Sequence, residues 1–142
     1  MTVKQILDDK GYDVSTIAAS ETIAEAADFL AGNRIGAVMV SSATKQIAGI
    51  LSERDIVRAI SEHGKDVIDQ PISNFMTENV KTFKSSNTIQ EVMELMTNGG
   101  FRHLPIVEDD ELIGIISIRD VIRHRMNEVE IEAEEIKAYI HS

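Results

Sequence analysis

The chain is 142 residues long, 43% hydrophobic and 27% charged, with 24 acidic groups against 14 basic ones and no cysteine. That composition fits one soluble, compact domain, and a net charge of -10 repels phosphate backbones and anionic lipid, so nucleic acid and membrane are not expected partners. Disulfides and thiol chemistry are excluded, and without a long apolar run or a basic-then-apolar start the expected location is the cytoplasm.

The first segment, Val3, Ile6 and Leu7, has helical spacing and reads as a short lead-in helix. Val14 to Leu30 (VSTIAASETIAEAADFL) then recurs 66 positions later as Val80 to Met96 (VKTFKSSNTIQEVMELM). Within it, Thr22 and Glu25 predict a capping box opening a helix with Ile23, Ala26, Ala27 and Leu30 on its apolar stripe, ended by Gly32-Asn33. Ile35 to Val40 and Ile47 to Leu51, split by the polar turn Ser41 to Lys45, predict a hairpin. A helix from about Ser52 to Gly64 carries Ile56, Val57 and Ile60 on one face.

After the boundary at Asp66 to Gln70, Ile72, Phe75 and Met76 repeat the lead-in spacing, with Pro71 suited to its first turn. The scheme recurs from Thr88 to about Arg125. The expected organisation is a first repeat over residues 1–65 with its lead-in helix, a second over 66–126 with its own, and an acidic helical tail over 127–142. Each repeat reads as strand, helix, strand, strand, helix. A unit of about 60 residues buries too little surface to stand alone, so the copies are expected to pack together, with a ligand cleft between them. Ile136, Tyr139 and Ile140 give the tail helical spacing, which suits either packing on its own domain or a dimer contact.

The most informative block is G-h-h-S-x-R-D, with h apolar: Gly49, Ser52, Arg54, Asp55, and again Gly114, Ser117, Arg119, Asp120. It sits where a strand enters a helix, so open amides and the helix dipole favour an anion, while a hydroxyl and a carboxylate three residues apart suit a ribose diol. The plainer reading is that Ser-x-x-Asp caps the helix and nothing more. Arginine in the first turn lies at the unfavourable end of the dipole, and is offset either by a ligand anion or by a local carboxylate such as Glu53 or Asp55. The second copy alone carries Arg102 and His103, beside Gly99-Gly100, a pair able to meet phosphate oxygens; the alternative for His103 is a packed or solvated ring. The second copy is thus the stronger site for a phosphorylated ligand.

No Walker loop, G-x-G-x-x-G, H-E-x-x-H or G-x-S-x-G occurs, and the histidines at 63, 103, 124 and 141 lack metal-ligand spacing. No catalytic residue and no metal site are expected, and the chain is not expected to be an enzyme. A nucleotide hydrolase would rest only on the abundance of carboxylates.

The doubled G-h-h-S-x-R-D, the doubled T-I-x-E, IGAVMV, FRHLPIV and the lead-ins ending KG and FMT resemble the paired cystathionine-β-synthase (CBS) domains, or Bateman module, in the form without an attached enzyme. The resemblance spans nearly the whole chain. It implies an α/β (α+β) fold of two β-α-β-β-α repeats with pseudo-twofold symmetry, a homodimer, a regulated partner protein, and a regulatory role binding an adenosine compound such as AMP, ADP, ATP, NAD or S-adenosylmethionine. By the same resemblance, Asp55 and Asp120 would hold ribose with Ser52 and Ser117, Arg54, Arg119, Arg102 and His103 the phosphates, and backbone at Thr16, Ile17, Ala18 and Thr82, Phe83, Lys84 the adenine. The proline common after the first strand is replaced by Ala19 and Ser85. The competing expectation is a ligand-free dimerisation and interaction module.

Overall fold

In the computed structural model, residues 2–141 are described; Met1, and Ser142 at the end of the expected tail, lie outside them. The elements are α1 (Val3–Lys10), β1 (Thr16–Ala18), α2 (Ile23–Asn33), β2 (Ala37–Ser41), β3 (Gly49–Ser52), α3 (Glu53–His63), α4 (Ile89–Gly99), β4 (His103–Glu108), β5 (Glu111–Ser117) and α5 (Ile118–His141). Short 3-10 turns cover Lys65–Asp69 and Ile72–Asn74.

The chain forms two compact units whose limits differ from the expected repeat boundaries. One holds residues 13–82 and 109–112; the other holds residues 1–12, 83–108 and 113–142. The first unit is built on a β1-β2-β3 sheet, parallel between β1 and β2 and antiparallel between β2 and β3, with Ile17 opposite Val40 and Val38 opposite Leu51. Its core gathers Ile17, Ile23, Leu30, Val38, Val40, Leu51, Ile56 and Ile72. Thr22 caps α2, its hydroxyl accepting the Glu25 N–H at 3.1 Å, and Thr88 caps α4 through Glu91 in the same way.

Three local expectations are corrected here. Gly32 lies inside α2, and the left-handed residue that closes the helix is Arg34 at φ 54°, whose N–H reaches Ala31 and Leu30 carbonyls. The strand begins at Ala37, leaving Ile35 exposed. On α3 the buried face is Ile56 with Ala59, whereas Val57 and Ile60 point outward, because the helix packs through one side against β3, α2 and the Lys65–Asp69 turn.

In the second repeat β4 and β5 pair, joined by Asp109-Asp110, both with positive φ (49° and 63°), the backbone of a type I′ hairpin turn. The first strand expected of this copy shrinks to a single parallel bridge, Phe83 to Ile106. The core combines Val3, Ile6 and Leu7 of α1 with Ile89, Val92, Met96, Leu104, Ile106, Ile116 and Val121.

The lead-ins therefore sit on the opposite copies from those expected. Val3 N–H bonds Asn87 O and Lys4 N–H bonds Ser85 O in the second repeat, and Thr2 bridges Thr88. At the matching positions of the first repeat, Ile72 N–H bonds Glu21 O, Ser73 N–H bonds Ala19 O, and Pro71 bridges Thr22. The connection from α3 to Pro71 is short, and its Val67 is fully buried, so the second lead-in is held against the first core. It is also a 3-10 turn rather than an α-helix.

The motif glycines follow from this docking. A Cβ on Gly49 would lie 2.7 Å from Thr77 O, and one on Gly114 would lie 2.6 Å from Leu7 Cδ2. Each glycine makes room for a lead-in. The acidic tail is no separate element: α5 runs 24 residues without a break through the expected end of the repeat near Arg125.

Candidate functional site

In both copies the motif serine and aspartate form a complete reciprocal pair. Ser52 N–H donates to Asp55 Oδ2 at 2.9 Å and Asp55 N–H to Ser52 Oγ at 3.2 Å. Ser117 N–H donates to Asp120 Oδ2 at 2.8 Å and Asp120 N–H to Ser117 Oγ at 3.2 Å. Of the two amides between them the first is also used: Glu53 N–H bonds Gly36 O, and Ile118 N–H bonds Arg102 O at 2.8 Å. The expectation of open amides at these helix starts is thus narrowed to the Arg54 and Arg119 N–H, since the capping box and the preceding loop take the others.

The cations remain available. Among the described residues no salt bridge engages Arg54, Arg119 or Arg102, and all three side chains are exposed. The local carboxylate considered for Arg54 is approached by Arg58 instead, 3.5 Å from Asp55 Oδ1. The Ile118 to Arg102 bond ties the Arg102 backbone to the first turn of α5, beside Arg119 and Asp120. His103 opens β4 next to it, half-buried and with interactions of its own.

Lys10 belongs to this cluster and sequence reasoning missed it. Its ammonium lies 2.7 Å from Asp120 Oδ2 and 2.6 Å from Ile115 O. Burial pushes the Asp120 carboxyl up, but Lys10 and Ser117 outweigh it and hold the group below the usual carboxylate range. Both Asp120 bonds fall on Oδ2, and an ionised carboxylate offers about four acceptor positions, so capping and hydroxyl recognition are compatible on one side chain. Nothing in the sequence placed Lys10 there, because the contact depends on α1 docking against the second copy.

Of the expected adenine-framing residues, Ile17 is buried in its core while Thr16 and Ala18 flank it exposed. Phe83 packs partly against the other core, and its backbone is engaged on both sides, the N–H bonding Pro105 O and the carbonyl accepting from the Val107 N–H. Thr82 and Lys84 are exposed. The residues standing where proline is common use the N–H that proline lacks. Ala19 N–H bonds Ser41 O at 2.8 Å, and Ser85 donates its N–H at 2.8 Å and its hydroxyl at 2.6 Å to Glu108 Oε1. The Ser85 hydroxyl and amide hold the Glu108 carboxyl below its ordinary value.

Among the described residues no group of three or more His, Cys, Asp or Glu gathers as a metal site, and no helix is long and apolar enough to cross a membrane.

Comparison with known proteins bears on the family and the fold. The model of the CBS domain matches twice, at residues 3–62 and 72–127. An uncharacterized 17.7 kDa protein of Acidianus ambivalens is 38% identical over 122 residues, covering 85% of this chain and 71% of that protein. The chain spans only 25% of the longer Arabidopsis thaliana protein CBSCBSPB1, at 31% identity over 137 residues. The CBS-domain containing protein ATU1752 from Agrobacterium tumefaciens superposes with a TM-score of 0.86 at 43% identity, covering 88% of this chain and 99% of that one. The CBS domain pair of protein MJ0100, solved in complex with 5-methylthioadenosine and S-adenosyl-L-methionine, superposes with a TM-score of 0.76 at 25% identity, covering 87% and 98%.

Proposed function

Because this chain belongs to the CBS-domain family, we propose that it is a non-catalytic regulatory module that binds an adenosine-containing nucleotide. One observation carries the reading: arginines that no carboxylate engages among the described residues stand in the first helical turn beside a carboxylate already oriented by its own cap, and the arrangement occurs in both copies. A first-turn cation is offset by about 0.3–1 kcal/mol when an anion arrives. In the second copy Asp120 and Ser117 would take the ribose, and Arg119, Arg102 and His103 the phosphates, with the backbone at Thr82, Phe83 and Lys84 along the adenine. In the first, Asp55, Ser52 and Arg54 play the same parts with backbone at Thr16, Ile17 and Ala18, and Gly36 replaces Arg102. The second copy is therefore the site for the more phosphorylated ligand. That a protein of this fold has been solved with two adenosine compounds supports the ligand class. The module works as a homodimer read by a partner protein.

The completeness of both capping boxes favours a second reading, a ligand-free interaction module in which Ser52, Asp55, Ser117 and Asp120 only cap. The test is mass spectrometry of small molecules released from the purified protein, with a thermal-shift panel of AMP, ADP, ATP, NAD and S-adenosylmethionine. Binding raises the midpoint by mass action. Asp55→Ala with Asp120→Ala costs about 1 kcal/mol per cap in either case, but abolishes the ligand-induced shift only if the sites bind. An empty protein, unmoved by the panel at millimolar concentration, establishes the interaction module instead.

A further inference from the structure

The second half of α5 extends past the residues that the CBS domain matches. The CBS matches end at residue 127, yet the helix continues to His141, and from Val129 to His141 every side chain is exposed. A lone helix of that length is marginal in water unless its apolar face is covered. Ile122, Met126, Val129, Ala133, Ile136 and Ile140 follow one another at steps of four and three, the spacing of consecutive d and a positions in a heptad repeat. The five large residues in that row are between 52% and 69% exposed, which is abnormal for so continuous an apolar seam.

We infer that this seam pairs with α5 of a second copy as a parallel two-stranded coiled coil. This names the surface of the homodimer proposed above and rests on that reading. The flanking charges select both the occupant and the direction. In the g positions stand Arg125, Glu132 and Tyr139, in the e positions Arg123, Glu130 and Lys137. A parallel pair sets Arg125 against the partner's Glu130 and Glu132 against the partner's Lys137, so both pairs attract. An antiparallel pair that covers the same six positions instead opposes Glu130 to Glu130, Glu132 to Glu132 and Arg123 to Lys137. In the single chain Arg125 reaches the largely covered Glu128 at 2.7 Å, and the arginine, itself still more than half exposed, can be shared with the partner's Glu130. A lipid surface suits the seam poorly, since Glu128, Glu130, Glu132, Glu134 and Glu135 repel anionic headgroups.

Because the chain contains no cysteine, a single introduced thiol reports the pairing directly. In the full chain, Ile140→Cys would place two sulfurs face to face at the end of a parallel seam, whereas Glu134→Cys lies on the outer side. Under mild oxidation, Ile140→Cys should form the disulfide-linked dimer about tenfold faster than Glu134→Cys, because only it meets the distance requirement. Sedimentation should also show Ile136→Glu shifted toward monomer with its nucleotide-induced thermal shift unchanged. A dimer in which the two cysteine variants link at equal rates, or in which Ile140→Cys links only with Ile122→Cys, overturns the parallel coil while leaving the homodimer standing. A wild-type monomer overturns both.

Discussion

Replacing Leu7 by alanine should unfold the second repeat in preference to the first. Leu7 is fully buried among Ile89, Val92, Met96, Leu104, Ile106, Ile116 and Val121, although it lies far from them in sequence. Leucine to alanine deletes three carbons, worth about 0.8 kcal/mol each in transfer, and the space is next to side-chain-free Gly114, which cannot fill it. A cost of about 3 kcal/mol follows, within the range seen for such core truncations. For a chain of this size that is a fall in midpoint of roughly 10 °C. Hydrogen exchange by mass spectrometry locates the loss: amides of α4, β4 and the start of α5 should lose protection before those of α2, β2 and α3. Ile72→Ala, also fully buried but in the other core, should give the reverse pattern. Loss confined to α2 and α3 in Leu7→Ala would refute the exchange of lead-ins.

Gly49→Ala should destabilise by about 1–3 kcal/mol, and more than Gly114→Ala, since the new methyl meets the Thr77 carbonyl of the backbone in the first case and only the rotatable end of Leu7 in the second. Thermal midpoints of the two variants check the ranking, and the opposite order would contradict it. Lys10→Met should cost about 1 kcal/mol at neutral pH, where the partly exposed Lys10 to Asp120 pair is intact. The lowered Asp120 group contributes stability above its ordinary value of 3.8 and loses it as the pH falls through its folded value. The gap between wild type and Lys10→Met should therefore close in acid; a gap independent of pH would show that the carboxylate is not the partner that matters.

Much of the fold is legible in the amino-acid order alone. The doubled T-I-x-E and G-h-h-S-x-R-D blocks specify the repeat, the helix starts and the family, because N-caps, apolar periodicity and turns are local events whose residues lie within a few positions of one another. Thr22, Thr88, Ser52 and Ser117 all cap where the sequence places them. Even the apolar seam of α5 is written in the order of its side chains.

Tertiary structure decided what depends on distance. Which lead-in served which core could not be read from helical spacing, since Val3, Ile6 and Leu7 and Ile72, Phe75 and Met76 present equivalent faces, and the short tether through Val67 settled the choice. Lys10 meets Asp120 across 110 positions only because of that docking. Val57 and Ile60 read as core by periodicity, but periodicity identifies a stripe without saying how wide a strip the neighbouring elements cover. The sequence determined the local conformations and the repeat; the burial of one copy's lead-in in the other's core came from the packing of the whole chain.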